Sequence, residues 1–157
     1  MTESSLNAYL EQIQSGKSDK AEARIIRYLM QNKFADSYEL AKYAKCSVNT
    51  VGARMKTIRC MGLAYQCGKK EYTIGGQKRQ FTIYMFVEKP ENRRKFGKVY
   101  RLEIAKARAQ SIVNNAGEHS KNLAIRAQLE VEDIQQAIDS IMLDAPMPQT
   151  EIKKTST

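Results

Sequence analysis

The sequence has no apolar run near the ~20 residues of a membrane-spanning helix. Its N-terminus also lacks the basic-then-apolar shape of a secretory signal, so a cytoplasmic protein without membrane engagement is expected. Cysteine is scarce. Cys46, Cys60 and Cys67 are odd in number and irregular in spacing, which argues against a disulfide framework. No pair has the Cys-x-x-Cys spacing of a zinc site, and the single histidine, His119, stands far away in a polar stretch. There is no glycine-rich phosphate loop and no Ser/Cys-His-Asp set. No cofactor, metal or enzymatic activity is expected.

What is present is positive charge. The 157 residues are 42% hydrophobic and 27% charged, a globular balance that suits one ordinary domain or two small ones. The net charge is +9. Residues 18–90 hold 14 Lys/Arg against 6 Asp/Glu, and residues 91–117 hold 7 against 2. Residues 118–157 reverse the balance, with 4 against 7. A polyanionic partner would therefore meet the first two-thirds of the chain. Charge that merely maintains solubility is the competing reading, and charge alone does not separate the two.

Periodicity gives the organisation. Residues 4–14 carry Leu6, Tyr9, Leu10 and Ile13 at helical spacing, with Ser4 or Ser5 as cap. This arm, residues 1–17, is too short to be stable alone; it docks on the main domain, meets a second subunit or stays disordered. Ser18 starts a stronger helix, with Glu22 near the capping-box position and Ala21, Ile25, Tyr28 and Leu29 on its apolar face. Phe34-Ala35 reads as a short apolar link. Asp36 or Ser37 caps a helix to about Ala44, Lys45-Cys46 turns, and Ser47 caps a third helix that Gly62 stops. The period then changes from helical to alternating. Leu63–Ile74 and Arg79–Val87 read as strands around a Gly75-Gly76 turn, with Gly68 marking a bulge or second bend. Three helices and a hairpin over residues 18–87 predict an α+β fold.

Within residues 39–64, Ala41 permits a close crossing of two helices. Leu40, Cys46, Val51, Met55 and Ile58 supply their shared apolar core. The outward positions of the second helix, Ser47, Asn49, Thr50, Gly52, Ala53, Lys56 and Thr57, are polar or small, as a helix entering the DNA major groove requires. The run Cys46-Ser47-Val48-Asn49-Thr50-Val51, followed by Met55, Ile58 and Met61-Gly62-Leu63, resembles the recognition helix of GntR-type and related winged-helix regulators. That resemblance covers about residues 20–87. It implies a winged helix-turn-helix, three helices plus a β-hairpin wing, that binds double-stranded DNA. The sequence departs from the pattern at Val48 and Gly52, where basic residues are common. Base readout then falls to Asn49, Thr50, Arg54 or Lys56.

Lys69 and Lys70 in the first arm of the hairpin, and Gln77, Lys78 and Arg79 after the glycine turn, are candidate phosphate contacts. An ordinary solvated hairpin is the plainer alternative. Residues 88–98, with Pro90, Gly97, Arg93, Arg94, Lys95 and Lys98, read as a basic linker that either extends the same contacts or is a solvated, disordered connector. Residues 99–142 read as a helical region for dimerisation or partner binding, with helices at Tyr100–Asn114, Ser120–Gln128 and Glu132–Met142. Residues 143–157 read as a disordered tail. Residues 123–138 also align with residues 40–55 at helix-turn-helix spacing, although Glu130, Glu132 and Asp133 would repel phosphate.

The expected protein is a transcriptional regulator of bacterial, phage or plasmid type that binds DNA as a homodimer. Tyr100–Asn114 is the first candidate for the dimer contact, and the acidic C-terminal helices are open to a protein partner. Two alternatives stay open: a replication, partition or packaging protein of a phage or plasmid, and a winged-helix protein-interaction module.

Overall fold

The computed structural model describes residues 1–13, 15, 20–117 and 120–143. Among these, six helices and three strands follow in the order α1 (Glu3–Gln12), α2 (Lys20–Asn32), β1 (Phe34–Asp36), α3 (Ser37–Ala44), α4 (Val48–Cys60), β2 (Ala64–Ile74), β3 (Gln77–Phe86), α5 (Pro90–Asn115) and α6 (Lys121–Leu143). The strands form one antiparallel sheet in the order β1-β3-β2. The expected α+β class holds. The chain divides into two compact units, Met1–Ile104 and the residues from Ala105 onward, and α5 runs across the division.

The core of the first unit follows from helical spacing. Ile25, Ile26 and Leu29 of α2 pack with Leu40, Ala41 and Ala44 of α3 and with Val51, Met55 and Ile58 of α4. Each set recurs at three- and four-residue intervals, so it forms one apolar stripe. Ala35, Ala64, Tyr84 and Phe86 close the core from the sheet. The N-terminal arm docks on this same domain, with Leu6, Leu10 and Ile13 buried in the core. Its cap is Thr2, whose hydroxyl accepts from the Ser5 N–H, and not Ser4 or Ser5. Glu22, expected in a capping box, is buried and accepts a hydrogen bond from Tyr9. The Ser18 cap lies outside the described residues.

One segment differs from expectation in kind. Phe34–Asp36 is a strand, paired antiparallel with Met85, Tyr84 and Ile83, and not a link. Three residues show no usable alternation, so the partner strand decides their conformation. The bulge expected beside Gly68 is present, and it does not divide β2. The strand is continuous, with a register shift between Gln66 and Gly68 that leaves Cys67 as the bulged residue.

Residues 88–98 are not a linker, because α5 begins at Pro90. Proline suits the first helical turn, where its missing N–H has no acceptor to lose. Phe96 of this segment and Val99 just after it are buried. Two glycines let the backbones approach closely here. A Cβ at Gly97 would stand 2.7 Å from the Cys60 carbonyl oxygen. One at Gly62, where φ is +75°, would overlap the Arg93 carbonyl oxygen at 1.6 Å. Pro90, Gly97 and dense charge give the composition of a linker, yet here they serve a helix start and a helix contact.

In the second unit, residues 123–138 belong to one continuous helix, so neither a second helix-turn-helix nor a break between residues 128 and 132 forms. Leu129, aligned in sequence with the turn residue Cys46, is mid-helix and 56% exposed. The stretch 129–131 contains no glycine or proline and no positive φ to end the helix. His119 and residues 144–157 of the expected tail lie outside the described residues, and Leu143, placed in that tail, ends α6. No described helix is long and apolar enough to cross a membrane. No group of three His, Cys, Asp or Glu side chains among the described residues could hold a metal ion.

Candidate nucleic-acid interface

The α3–α4 pair is joined by a turn of three residues, Lys45–Ser47. Asp36 begins α3: its Oδ1 accepts the N–H groups of Tyr38 and Glu39, both at 2.9 Å. Lys45 ends α3 in the left-handed region, at φ 53°, and the Cys46 N–H returns to the Ala41 carbonyl at 3.1 Å. Ser47 begins α4 by accepting the Thr50 N–H at 3.1 Å. These caps satisfy helix-end groups that would otherwise be orphaned, and they fix the angle between the helices.

The two faces of α4 differ sharply. Val51, Met55 and Ile58 are fully buried. Asn49, Ala53, Lys56 and Thr57 are exposed, and at about 100° per residue they fall on the opposite side. Gly52 and Arg54 are half-buried on the flanks. Thr50 is half-buried too, and its hydroxyl lies 2.9 Å from that of Ser47. Ser47 and Thr50 therefore serve the cap, and the open surface is narrower than the sequence suggested: Asn49, Ala53, Lys56 and Thr57.

The β2–β3 hairpin closes through Gly75 and Gly76, with φ of +58° and +77°, the handedness that matches the twist of paired strands. Lys69, Lys70, Gln77, Lys78 and Arg79 are all exposed. They do not share a face. Side chains alternate along a strand, so Lys70 and Arg79 lie on the side of Tyr72 and Phe81, and Lys69 and Lys78 on the other. Lys78 stands 3.4 Å from Glu71. Lys70 stands 3.7 Å from Glu39 and 4.0 Å from Asp36.

Sequence reasoning missed the cluster that holds this hairpin against α3. The Tyr72 hydroxyl donates to Asp36 Oδ2 at 2.5 Å and to Glu39 Oε1 at 3.3 Å. The Tyr38 ring lies 5.0 Å from Tyr72 and 5.2 Å from Phe81. Burial, and then the neighbouring Asp36 carboxylate, push the Glu39 carboxyl above its usual range. Burial, then the hydrogen bond to Asp36, push the Tyr72 hydroxyl up. The available signal was the alternation of Lys70 and Tyr72 on one strand face, opposite an acidic helix start.

Arg93 leaves the candidate interface altogether. It is 1% exposed, and its guanidinium donates to the carbonyls of Val87 at 3.1 Å, Met1 at 3.1 Å and Glu88 at 3.2 Å. Burial lowers its pKa from the ordinary value. The expected phosphate contact is instead a tie between the N-terminus and the start of α5. Arg94 is exposed and Lys95 is half-buried on that helix.

No protein-family model and no curated protein sequence matches the chain. Among solved structures, it is similar to the crystal structure of a transcriptional regulator, with a TM-score of 0.40 and 13% identity over 86% of this chain and 88% of that one. It is also similar to a possible transcriptional regulator from Methanosarcina mazei Go1, with a TM-score of 0.35 and 16% identity over 63% of this chain and 80% of that one. Likenesses this distant leave function to be argued from the residues themselves.

Proposed function

We propose that residues 20–87 are a winged helix-turn-helix that binds double-stranded DNA and regulates transcription by occupying its sites. In this reading α4 enters the major groove and the β2–β3 hairpin, as the wing, lies against the sugar-phosphate backbone. The protein binds and makes or breaks no covalent bond. The observation that carries the reading is the two-sidedness of α4. Its apolar row is fully buried, and its opposite row, Asn49, Ala53 and Lys56, is open and short enough for the helix to approach base edges. Asn49 is the base-reading residue, by bidentate pairing with adenine. Lys56, Lys69 and Arg79 are exposed without an acidic partner among the described residues, and they supply phosphate contacts.

The test is selection of bound fragments from random duplex DNA, followed by affinity measured against salt. One enriched motif, and a salt slope of about −2.7 per chain for these three phosphate contacts, or about −3.6 where Lys78 leaves Glu71 for a fourth, is the expected result. A steep slope with no motif would move the protein to a replication, partition or packaging assembly. No duplex binding at low salt would overturn the reading.

A further inference from the structure

Resting on the proposed DNA-binding function, we infer that Tyr72 is the positioning residue of the hairpin: its bonds to Asp36 and Glu39 hold a two-stranded ribbon against α3, so that Arg79 meets the phosphate backbone at a fixed place. The sheet is three strands wide only at its base. β1 ends at Asp36, which pairs with Ile83, and Ile83 in turn pairs with Gly68. Beyond that rung the hairpin continues as two strands alone, Lys69–Ile74 against Gln77–Thr82. A two-stranded ribbon is marginal in water. The bulge at Cys67 stands at its root and interrupts the ladder there, so backbone pairing alone does not fix how the ribbon leans. Tyr72 lies four rungs further out, about 14 Å along the strand.

From there Tyr72 reaches back to the start of α3. Its hydroxyl donates to Asp36 Oδ2 at 2.5 Å, with Glu39 Oε1 at 3.3 Å as a second acceptor. Asp36 is 3% exposed, and its other oxygen accepts the N–H groups of Tyr38 and Glu39. One buried carboxylate thus ties the first turn of α3 to the outer half of the ribbon. A hydrogen bond to an ionised acceptor is stronger than a neutral one. The Tyr38 ring backs the joint, 5.0 Å from Tyr72 and 5.2 Å from Phe81. The cross-strand partner of Tyr72 is Arg79. Direct partners share a face of the ribbon, so the rung that is tied down is the rung that carries the exposed cation. α3 passes to α4 through the turn that the Ala41 carbonyl and Ser47 hold, so a ribbon fixed on α3 is also fixed relative to Asn49 and Lys56.

The wing's own share bounds the effect. A cation that neutralises one phosphate contributes about eightfold in affinity at 0.1 M salt, and the two tip cations together about 25-fold. Releasing the ribbon cannot lose more than that. If about one-fifth of the wing contact survives, binding falls about fivefold. Arg79→Ala, which costs about eightfold in the parent chain, then costs about threefold. Lys56 stands on α4, so its share is the same whether or not the ribbon is held.

A cycle of single and double variants, read by fluorescence anisotropy on a labelled duplex, tests the role. Tyr72→Phe keeps the ring and removes the hydroxyl, and urea denaturation confirms that it is folded under the assay conditions. It should weaken binding about fivefold on every DNA sequence and cut the cost of Arg79→Ala from about eightfold to about threefold. Lys56→Ala should cost about eightfold in both backgrounds. A second readout contains no DNA: amide hydrogen exchange across residues 71–80 should rise about tenfold in Tyr72→Phe, while exchange in α4 stays as it was. A hydroxyl that serves overall stability alone would leave the Arg79 and Lys56 costs uncoupled from it. An undiminished cost of Arg79→Ala in the Tyr72→Phe background, or unchanged exchange in the ribbon, would overturn the positioning role in a chain that still binds DNA. No duplex binding by the parent chain would overturn the DNA-binding function, and the positioning role with it.

Discussion

Removing the charge at the hairpin tip should weaken DNA binding by an amount that the side-chain geometry sets. Lys78 and Arg79 are adjacent on β3, so they point to opposite faces of the hairpin. A cation that neutralises one phosphate contributes about 0.9 to the logarithmic salt slope, which at 0.1 M salt is about eightfold in affinity. Two equal contacts would give about 60-fold. Lys78, however, already has Glu71 at 3.4 Å. Giving up an exposed pair costs about 0.2–1 kcal/mol, so the net share of Lys78 is nearer threefold. Arg79→Ala should therefore weaken binding about eightfold, Lys78→Ala about threefold, and the double variant about 25-fold. The slope should fall by about 0.9–1.8 in the double variant. Fluorescence anisotropy on a labelled duplex across a salt series measures all three. The losses should be alike on every DNA sequence, since phosphates carry no base identity. Unchanged affinity and slope in the double variant would refute the placement of the wing. A loss confined to one DNA sequence would refute its role as a phosphate contact.

Asn49→Ala should change the motif recovered from random duplexes while leaving the salt slope as it was, because the amide is uncharged. Arg93→Met should lower stability by about 2–4 kcal/mol in chemical denaturation, since three carbonyls lose a charged donor, and it should leave the salt slope of binding unchanged. Gly97→Ala should cost about 1–3 kcal/mol by pressing a methyl against the Cys60 carbonyl, whereas Gly68→Ala, with ordinary contact to Ile83, should be close to neutral. Tyr72 holds its proton more tightly folded than unfolded, so its contribution to stability is complete below about pH 10 and is lost as pH rises through the folded value. Stability against urea should therefore fall on the alkaline side, and less steeply in Tyr72→Phe. Equal pH dependence in both proteins would mean that the hydroxyl does not bond Asp36.

Much of the helix-strand order was legible because its signals are local. Ser47 and Asp36 cap where sequence placed caps, Gly62 follows α4, and Gly75-Gly76 turns the hairpin. The failures have a different physical character. β1 exists because β3 is there to pair with it. Pro90, Gly97 and Arg93 looked like linker chemistry because composition does not reveal a backbone crossing or three carbonyls converging on one guanidinium. The alignment of residues 123–138 with residues 40–55 matched apolar spacing but lacked what makes a turn, a residue such as Lys45 able to take positive φ where the helix must stop.

The candidate site was legible in its residue types and overstated in its charge. Arg93 is buried, Lys70 faces Asp36 and Glu39, and Lys78 faces Glu71. Alternation along β2 and β3 then divides the rest between two faces, which the adjacent pairs Lys69-Lys70 and Lys78-Arg79 already implied. With Lys56, Lys69 and Arg79 as its contacts, one chain would lose about 40-fold in affinity between 0.05 and 0.2 M salt. Two chains on one duplex would carry six such contacts, and the same salt change would cost about 2,000-fold. The steepness of the salt response therefore counts the copies on the DNA.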